Sequence, residues 1–347
     1  MVGMKKTKYR VFIWILIAVA FICGSLFFYL YKALYGKVYE AKDVVYVYID
    51  QNKDFDNLCD QLSVLASSAD INTFRLVADF FNYKDKMITG KYAVKDKMSN
   101  IELINSLRAG HQAANRITFN NIRLKDQLAE RLSEQLMIDK DEIIPLLNDP
   151  SFCSSMGFST ETISTLFIPN TYEVYWNVSA KGLMNRMKRE YDTFWTPARR
   201  AKAESLNMTP VEVSILASIV EEETVVYDEF PIVAGLYLNR LRQGILLQAD
   251  PSVKFAVGDF SLKRILFEHL EVDSPYNTYK YAGLPPGPLR IPSIRGIDAV
   301  LNHTKHKYLY MCAKEDFSGR HNFAVTLAEH NRNAKRYHSE LNRRNIR

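Results

Sequence analysis

The feature that most constrains this chain is an uncharged apolar run of 21 residues, Val11 to Tyr31, close to the N-terminus. A helix of that length crosses a hydrocarbon core of about 30 Å. Lys5, Lys6, Lys8 and Arg10 precede it, and no acid lies among the first ten residues. By the positive-inside rule residues 1–10 are expected to be a cytoplasmic tail and 11–31 a transmembrane helix, with the chain after about Lys32 exported. A cleaved signal peptide would carry a shorter apolar core followed by small residues. This run instead ends in Phe27-Phe28-Tyr29-Leu30-Tyr31, which fits a retained anchor.

The exported part, about 310 residues, is long enough for two domains. The formal charge of +6 overstates how basic they are, because four positive charges sit in the tail; the remainder carries +2. No basic surface of the kind that grips nucleic acid is implied. Cys23 lies in the apolar run, leaving Cys59, Cys153 and Cys312, too few and too far apart for a disulfide framework. His303 and His306 are three apart with no recognisable third ligand, so no metal site is expected.

Val44 to Ile49 reads as a strand, followed by helices from about Asp54 to Ala66 and Asn72 to Phe81. A turn at Gly90 and a strand from Tyr92 to Val94 come next. Ser99-x-x-Glu102 is a capping box for a helix ending near Gly110, and Arg116 to Phe119 is a strand. Residues 43–120 thus form a small α+β module with no catalytic group. Helical patterning then covers Arg123 to Leu136, Asp141 to Leu147 (interrupted by Pro145) and Gly182 to Phe194. Phe167 to Trp176 reads as strand or loop. The expected fold class is α+β, with a mixed α+β second domain over residues 121–347.

The chemistry concentrates on a helix opened by Thr209-Pro210-Val211-Glu212, which has an N-cap, proline in the first turn and a capping box. It ends in Glu221-Glu222-Glu223. Glu223 lies one turn beyond Ile219 and Val220 and two beyond Leu216, so it continues the apolar stripe; Glu221 continues the small, polar face of Ser214, Ala217 and Ser218. A carboxyl in apolar surroundings has a raised pKa and can hold a proton near neutrality. That is what a general acid for a glycosidic oxygen requires, and it selects Glu223. The alternative is a helix end bearing solvated acids.

Further blocks follow: Tyr237-Leu-Asn-Arg-Leu-Arg-Gln-Gly-Ile-Leu-Leu-Gln-Ala-Asp-Pro-Ser252, Pro275-Tyr-Asn-Thr-Tyr-Lys-Tyr-Ala-Gly-Leu-Pro-Pro-Gly-Pro288, Tyr308-Leu-Tyr310, His321-Asn-Phe323 and Thr326-x-x-x-His330-Asn331. Together with Leu216-Ala-Ser-Ile-Val-Glu-Glu-Glu-Thr224, these resemble the signature blocks of the endolytic murein transglycosylases, the YceG-like proteins. The resemblance spans residues 209–335, and by layout the anchor and the 43–120 module. There the family carries a LysM-like subdomain, marked here by Gly90-Lys91-Tyr92.

The resemblance implies an inner-membrane enzyme that cuts peptidoglycan glycan strands between N-acetylmuramic acid and N-acetylglucosamine without adding water, leaving 1,6-anhydro ends. Glycan strands, the membrane and peptidoglycan synthases are the implied partners, and no cofactor is needed. The catalytic acid of the family's Glu-x-Glu-Thr motif falls on Glu223, the residue chosen by spacing. Glu222 occupies a position often basic in relatives, and its charge should raise the Glu223 pKa. Asn239, Arg240, Gln248, Asp250, Tyr276, Asn277, Tyr279, His321 and Asn322 are expected to bind substrate or support the site. Asn239 and Arg240 could equally cap a helix and pair with an acid; Asp250 before Pro251 could simply start a turn; His330 is expected to be structural. Gly283 to Pro288 should be a rigid loop forming one wall. Ile291-Pro292-Ser293 departs from the Asn-Pro-Gly frequent in the family. A hydrolytic muramidase, with Asp250 activating water, and a non-catalytic peptidoglycan-binding scaffold are the alternatives. An inverting hydrolase would need its carboxyls roughly 6.5–9.5 Å apart.

Overall fold

The structure is a computed structural model that describes residues 2–262 and 264–344, and of residues 2–8 and 68 the backbone alone. The chain forms two compact units, Met1–Arg116 with Glu173–Val178, and Ile117–Tyr172 with Ser179–Arg347.

In the first unit, α1 (Val2–Tyr35) contains the apolar stretch, of which Tyr9–Tyr35 is long and apolar enough to cross a membrane and is unburied in its most apolar part. The side chains of Lys5, Lys6 and Lys8, on which the expected orientation rests, lie outside the described residues. The helix does not stop at Tyr31. Its last turn is folded into the unit: Ala33 is buried, and its carbonyl accepts from Asn100 Nδ2 at 2.9 Å.

The rest of this unit comprises β1 (Val45–Ile49), α2 (Phe55–Ser63), α3 (Ser68–Phe80), β2 (Gly90–Val94) and α4 (Asn100–Ala109). Asp54 caps α2, Ser67 caps α3, and Ser99 with Glu102 closes the expected capping box on α4. The antiparallel β1–β2 pair sets Val47 opposite Tyr92, both fully buried beside Phe74, Leu103 and Ile104. Gly110 ends α4 at φ 66°, a left-handed conformation that costs glycine no Cβ clash.

The chain passes between the units in β3 (Asn115–Thr118) and in β4, its partner strand (Thr171–Val174). The second unit otherwise contains α5 (Lys125–Ser133), α6 (Lys140–Asn148), α7 (Pro150–Ser155), α8 (Ala180–Phe194), α9 (Pro197–Ser205), α10 (Pro210–Glu223), α11 (Phe230–Arg242), α12 (Asp250–Val257), α13 (Phe267–Leu270), α14 (Ile294–Leu301), the hairpin β5 (Tyr310–Ala313) and β6 (His321–Ala324), and α15 (Leu327–Arg343). Pro145 does not interrupt α6. A proline removes one backbone bond, but buried Ile143 and Leu147 hold the helix on either side of it.

The second unit is organised around α10. Every residue from Val213 to Val220 is buried, so the helix is enclosed by protein on all faces along this stretch. It packs against α14, α11 and α12. The Ser214–Ala217–Ser218 face is a close-packing face. Ser218 Oγ donates to the Ile215 carbonyl (2.7 Å) and accepts from Leu289 N (2.9 Å), and Gly296 of α14 lies so close that a Cβ there would meet the Glu221 carboxylate.

Candidate active site

Three glutamates in the last turn of a helix oppose its macrodipole, and each is held differently. Glu221 accepts from Ser293, through both the hydroxyl and the backbone N–H (3.0 Å). Ser293 also caps α14 by accepting from Gly296 N, which accounts for serine at this turn. Glu222 is paired to Arg123 at 2.5 Å and to Arg290 at 3.2 Å. Neither acid is solvated, their side chains being 7% and 14% exposed.

Among the described residues Glu223 has no ion-pair partner. Its Oε1 accepts the Tyr237 hydroxyl at 2.6 Å, and the carboxyl sits in the wall of a cavity of about 430 Å³. Burial raises its pKa from 4.5 to about 7. The Tyr237 bond pulls it down, Asp250 pushes it up, Arg240 pulls it down, and Glu222 adds the smallest upward push. The expected effect of Glu222 is therefore present but minor, since its charge is already matched by two arginines.

The cavity brings together residues far apart in sequence. Glu223, Tyr237, Arg240, Gln248, Asp250 and Tyr279 form one side; Tyr310, His321 and His330 come from β5, β6 and α15. Arg240 is only 8% exposed. Its guanidinium donates to the carbonyls of Leu309 (2.6 Å), Leu246 (3.0 Å) and Leu247 (2.9 Å), and to Gln248 Oε1 (3.3 Å). It is a bracket for the cleft wall as well as a nearby positive charge. Gln248 is left-handed at φ 50°, a strained conformation for a residue with a Cβ, held by its own N–H to Thr278 O at 3.1 Å. Tyr279 donates to Asp250 Oδ1 at 2.6 Å. His330 stacks on Tyr310 with ring centroids 5.5 Å apart, and burial lowers its pKa.

Other residues expected to serve the site lie elsewhere. Asn239 donates to the carbonyls of His306 and Tyr308, and His306 itself bonds Ile232 O and Tyr308 N. Fully buried Asn277 donates to the carbonyls of Leu270 and Val272 and accepts from Tyr279 N. Asn322 donates to Glu315. Tyr276 packs on Phe255, ring centroids 4.6 Å apart, in a separate cavity bordered by Arg123 and Pro288. Gly283 to Pro286 line another cavity beside Thr209 and Glu212 instead of the Glu223 cleft.

Spacing did not single out Tyr237, Tyr310 or His330 for the site. Tyr237 opens a motif block, but its bond to Glu223 depends on the packing of α11 against α10, which periodicity does not encode.

A carboxyl raised to about 7 in a polar and aromatic cleft, as Glu223 is, has the chemistry of an acid–base site on an α+β scaffold. A family model described as the YceG-like family matches residues 47–336, and the chain belongs to that family. It is similar to the endolytic murein transglycosylase of Bacillus subtilis strain 168, 28% identical over 269 residues, which cover 73% of this chain and 74% of that protein. The endolytic murein transglycosylase of Streptococcus pneumoniae serotype 2 is 26% identical over 300 residues, 78% of this chain and about half (54%) of that longer protein. Among solved structures, a putative YceG-like protein from Listeria monocytogenes superposes with a TM-score of 0.54 at 25% identity, covering 84% of this chain and 99% of that one.

Proposed function

We propose that this chain is a membrane-anchored endolytic lytic transglycosylase. It cuts the bond between N-acetylmuramic acid and N-acetylglucosamine in nascent glycan strands, leaves 1,6-anhydro-muramyl ends and so terminates strand elongation. Membership of the YceG-like family and the names of the relatives supply the substrate class. The observation that carries the chemistry is Glu223: a carboxyl pushed up to about 7 by burial, one oxygen held by Tyr237.

In this reading the protonated Glu223 gives its proton to the leaving glycosidic oxygen as the C1–O bond breaks. The resulting carboxylate then takes the proton of the muramyl C6 hydroxyl, whose oxygen closes onto C1. The carboxyl ends as it began. An internal nucleophile makes the attack unimolecular and removes the need for a second carboxylate to activate water. Tyr237 fixes which oxygen is free: with Oε1 accepting its hydroxyl, the transferable proton resides on Oε2. Arg240, Gln248, Asp250, Tyr279 and His321 surround the sugars, while Asn239, Tyr276, Asn277 and Asn322 support the loops that carry them.

Residues 11–31 anchor the protein in the inner membrane with residues 1–10 in the cytoplasm. Residues 43–120 act as a LysM-like module and 121–347 as the catalytic domain outside. Peptidoglycan synthases are the partners that such a position would serve.

Asp250 lies on the same cleft and is the group that would activate water in a hydrolase, so the product end decides. The detergent-solubilised full chain and its Glu223→Gln variant are incubated with uncrosslinked glycan strands, and the new ends are weighed by mass spectrometry. Anhydro ends, one water lighter than reducing ends and made only by the Glu223 form, support the proposal. Reducing ends would replace it with hydrolysis. No cleavage with binding retained by both would replace it with a scaffold.

A further inference from the structure

Glu229 is a carboxylate that the mechanism above does not use, and it is 3% exposed. Its Oε1 accepts from the backbone N–H of His321 at 3.0 Å, and its Oε2 lies 2.8 Å from His321 Nδ1. The Thr224 hydroxyl also donates to Oε2, at 3.4 Å, while accepting from Val226 N at 3.1 Å. Thr224 follows Glu223 directly and is itself buried. The short turn from the end of α10 to Glu229 is thereby locked, and β6 is registered against the catalytic glutamate through two side chains.

Both oxygens of Glu229 accept here, which an amide with its single acceptor oxygen could not reproduce, and burying the carboxylate carries a desolvation cost. A carboxylate on an imidazole does something an amide does less well. It fixes the proton on Nδ1 and locks the ring orientation. His321 lines the same cavity as Glu223, and its Nε2 makes no hydrogen bond to any described residue. The Arg240 guanidinium on that cavity is occupied by backbone carbonyls and Gln248. The His321 ring edge is therefore an oriented polar contact left open for a ligand.

We infer that Glu229 is a positioning residue that holds His321 with Nε2 turned to the cleft, where this nitrogen hydrogen-bonds a hydroxyl or N-acetyl group of the glycan beside the bond being cut. The inference rests on the proposed glycan substrate. It assigns Thr224, in the motif that carries Glu223, a mechanical purpose: linking the catalytic turn to this pair.

The test uses the full chain in detergent. In His321→Asn the side-chain nitrogen keeps the place of Nδ1 against Glu229 but leaves nothing at Nε2; His321→Gln does the reverse. For each, kcat and KM on uncrosslinked strands, thermal stability, and strand binding in a Glu223→Gln background are measured. The expected result is that His321→Asn keeps the Tm of its parent, weakens strand binding about tenfold and lowers kcat/KM by at least as much. Partial recovery is expected in His321→Gln, and Glu229→Gln should raise KM with the same products. If His321→Asn binds and cleaves as its parent does, the pair is only a hairpin latch and the inference is overturned. If the parent cleaves nothing while His321→Asn still weakens strand binding, the transglycosylase reading fails and this inference stands.

Discussion

Tyr237 donates its hydroxyl to Oε1 of Glu223 at 2.6 Å, joining a fully buried phenol on α11 to the last residue of α10. The bond favours the ionised carboxylate, against the larger effect of burial. Tyr237→Phe should therefore raise the Glu223 pKa further and shift the basic limb of the pH–rate profile to higher pH. Freed from its orienting bond, the carboxyl should also lose roughly ten- to hundredfold in rate. A pH–kcat/KM profile of the two proteins checks both; an unmoved basic limb would show that the hydroxyl does not act on Glu223.

Glu223 should destabilise the protein in the pH range where it ionises. Its pKa is raised on folding from 4.5 to about 7, so the folded chain holds this proton more tightly than the unfolded chain. The contribution to stability is complete below about pH 4.5 and is lost as pH rises through 7, a difference of about 3 kcal/mol. Glu223→Gln keeps an acceptor for Tyr237 and has no charge to bury. It should abolish cleavage and raise Tm relative to the parent, with the gap widening from pH 5 to pH 8. Melting curves across that range measure it.

Arg290 meets both Glu221 and Glu222, and its side chain is 19% exposed. Arg290→Ala leaves Glu222 to Arg123 alone and Glu221 to Ser293, in a region largely shielded from water. A loss of about 2 kcal/mol is expected. Arg343→Ala breaks an exposed pair with Glu340 at the end of α15 and should leave Tm unchanged. Denaturant unfolding of the two variants separates the cases.

Gly296→Ala would bring a methyl group onto the Glu221 carboxylate, which Ser293 holds in place. The α10–α14 contact must then open, costing about 1–3 kcal/mol. Because α10 carries Glu223, activity should fall by more than the loss of folded protein accounts for. Activity normalised to the folded fraction is the measurement.

These relationships show what helical spacing can and cannot carry. The start of α10, its caps and the shielded setting of Glu223 were legible, because one helix and its apolar stripe determine them. Tyr237 and Glu229 were not, since their bonds depend on how neighbouring segments pack. Asn239 and Asn277 could be read either way for a chemical reason: an amide that suits a sugar suits a loop carbonyl equally well, and here both bind carbonyls. The boundaries of α1 and α6 shifted for similar reasons, with buried Ala33 extending the first and buried Ile143 and Leu147 carrying the second across Pro145.

The proposed chemistry depends on Glu223 holding a proton near neutrality. Infrared difference titration of the full chain against Glu223→Gln isolates the C=O stretch of this one carboxylic acid. The expected result is a protonated-carboxyl band, absent from the variant, that disappears with a midpoint near pH 7. A band that titrates near pH 4.5, as for an ordinary glutamate, would contradict it.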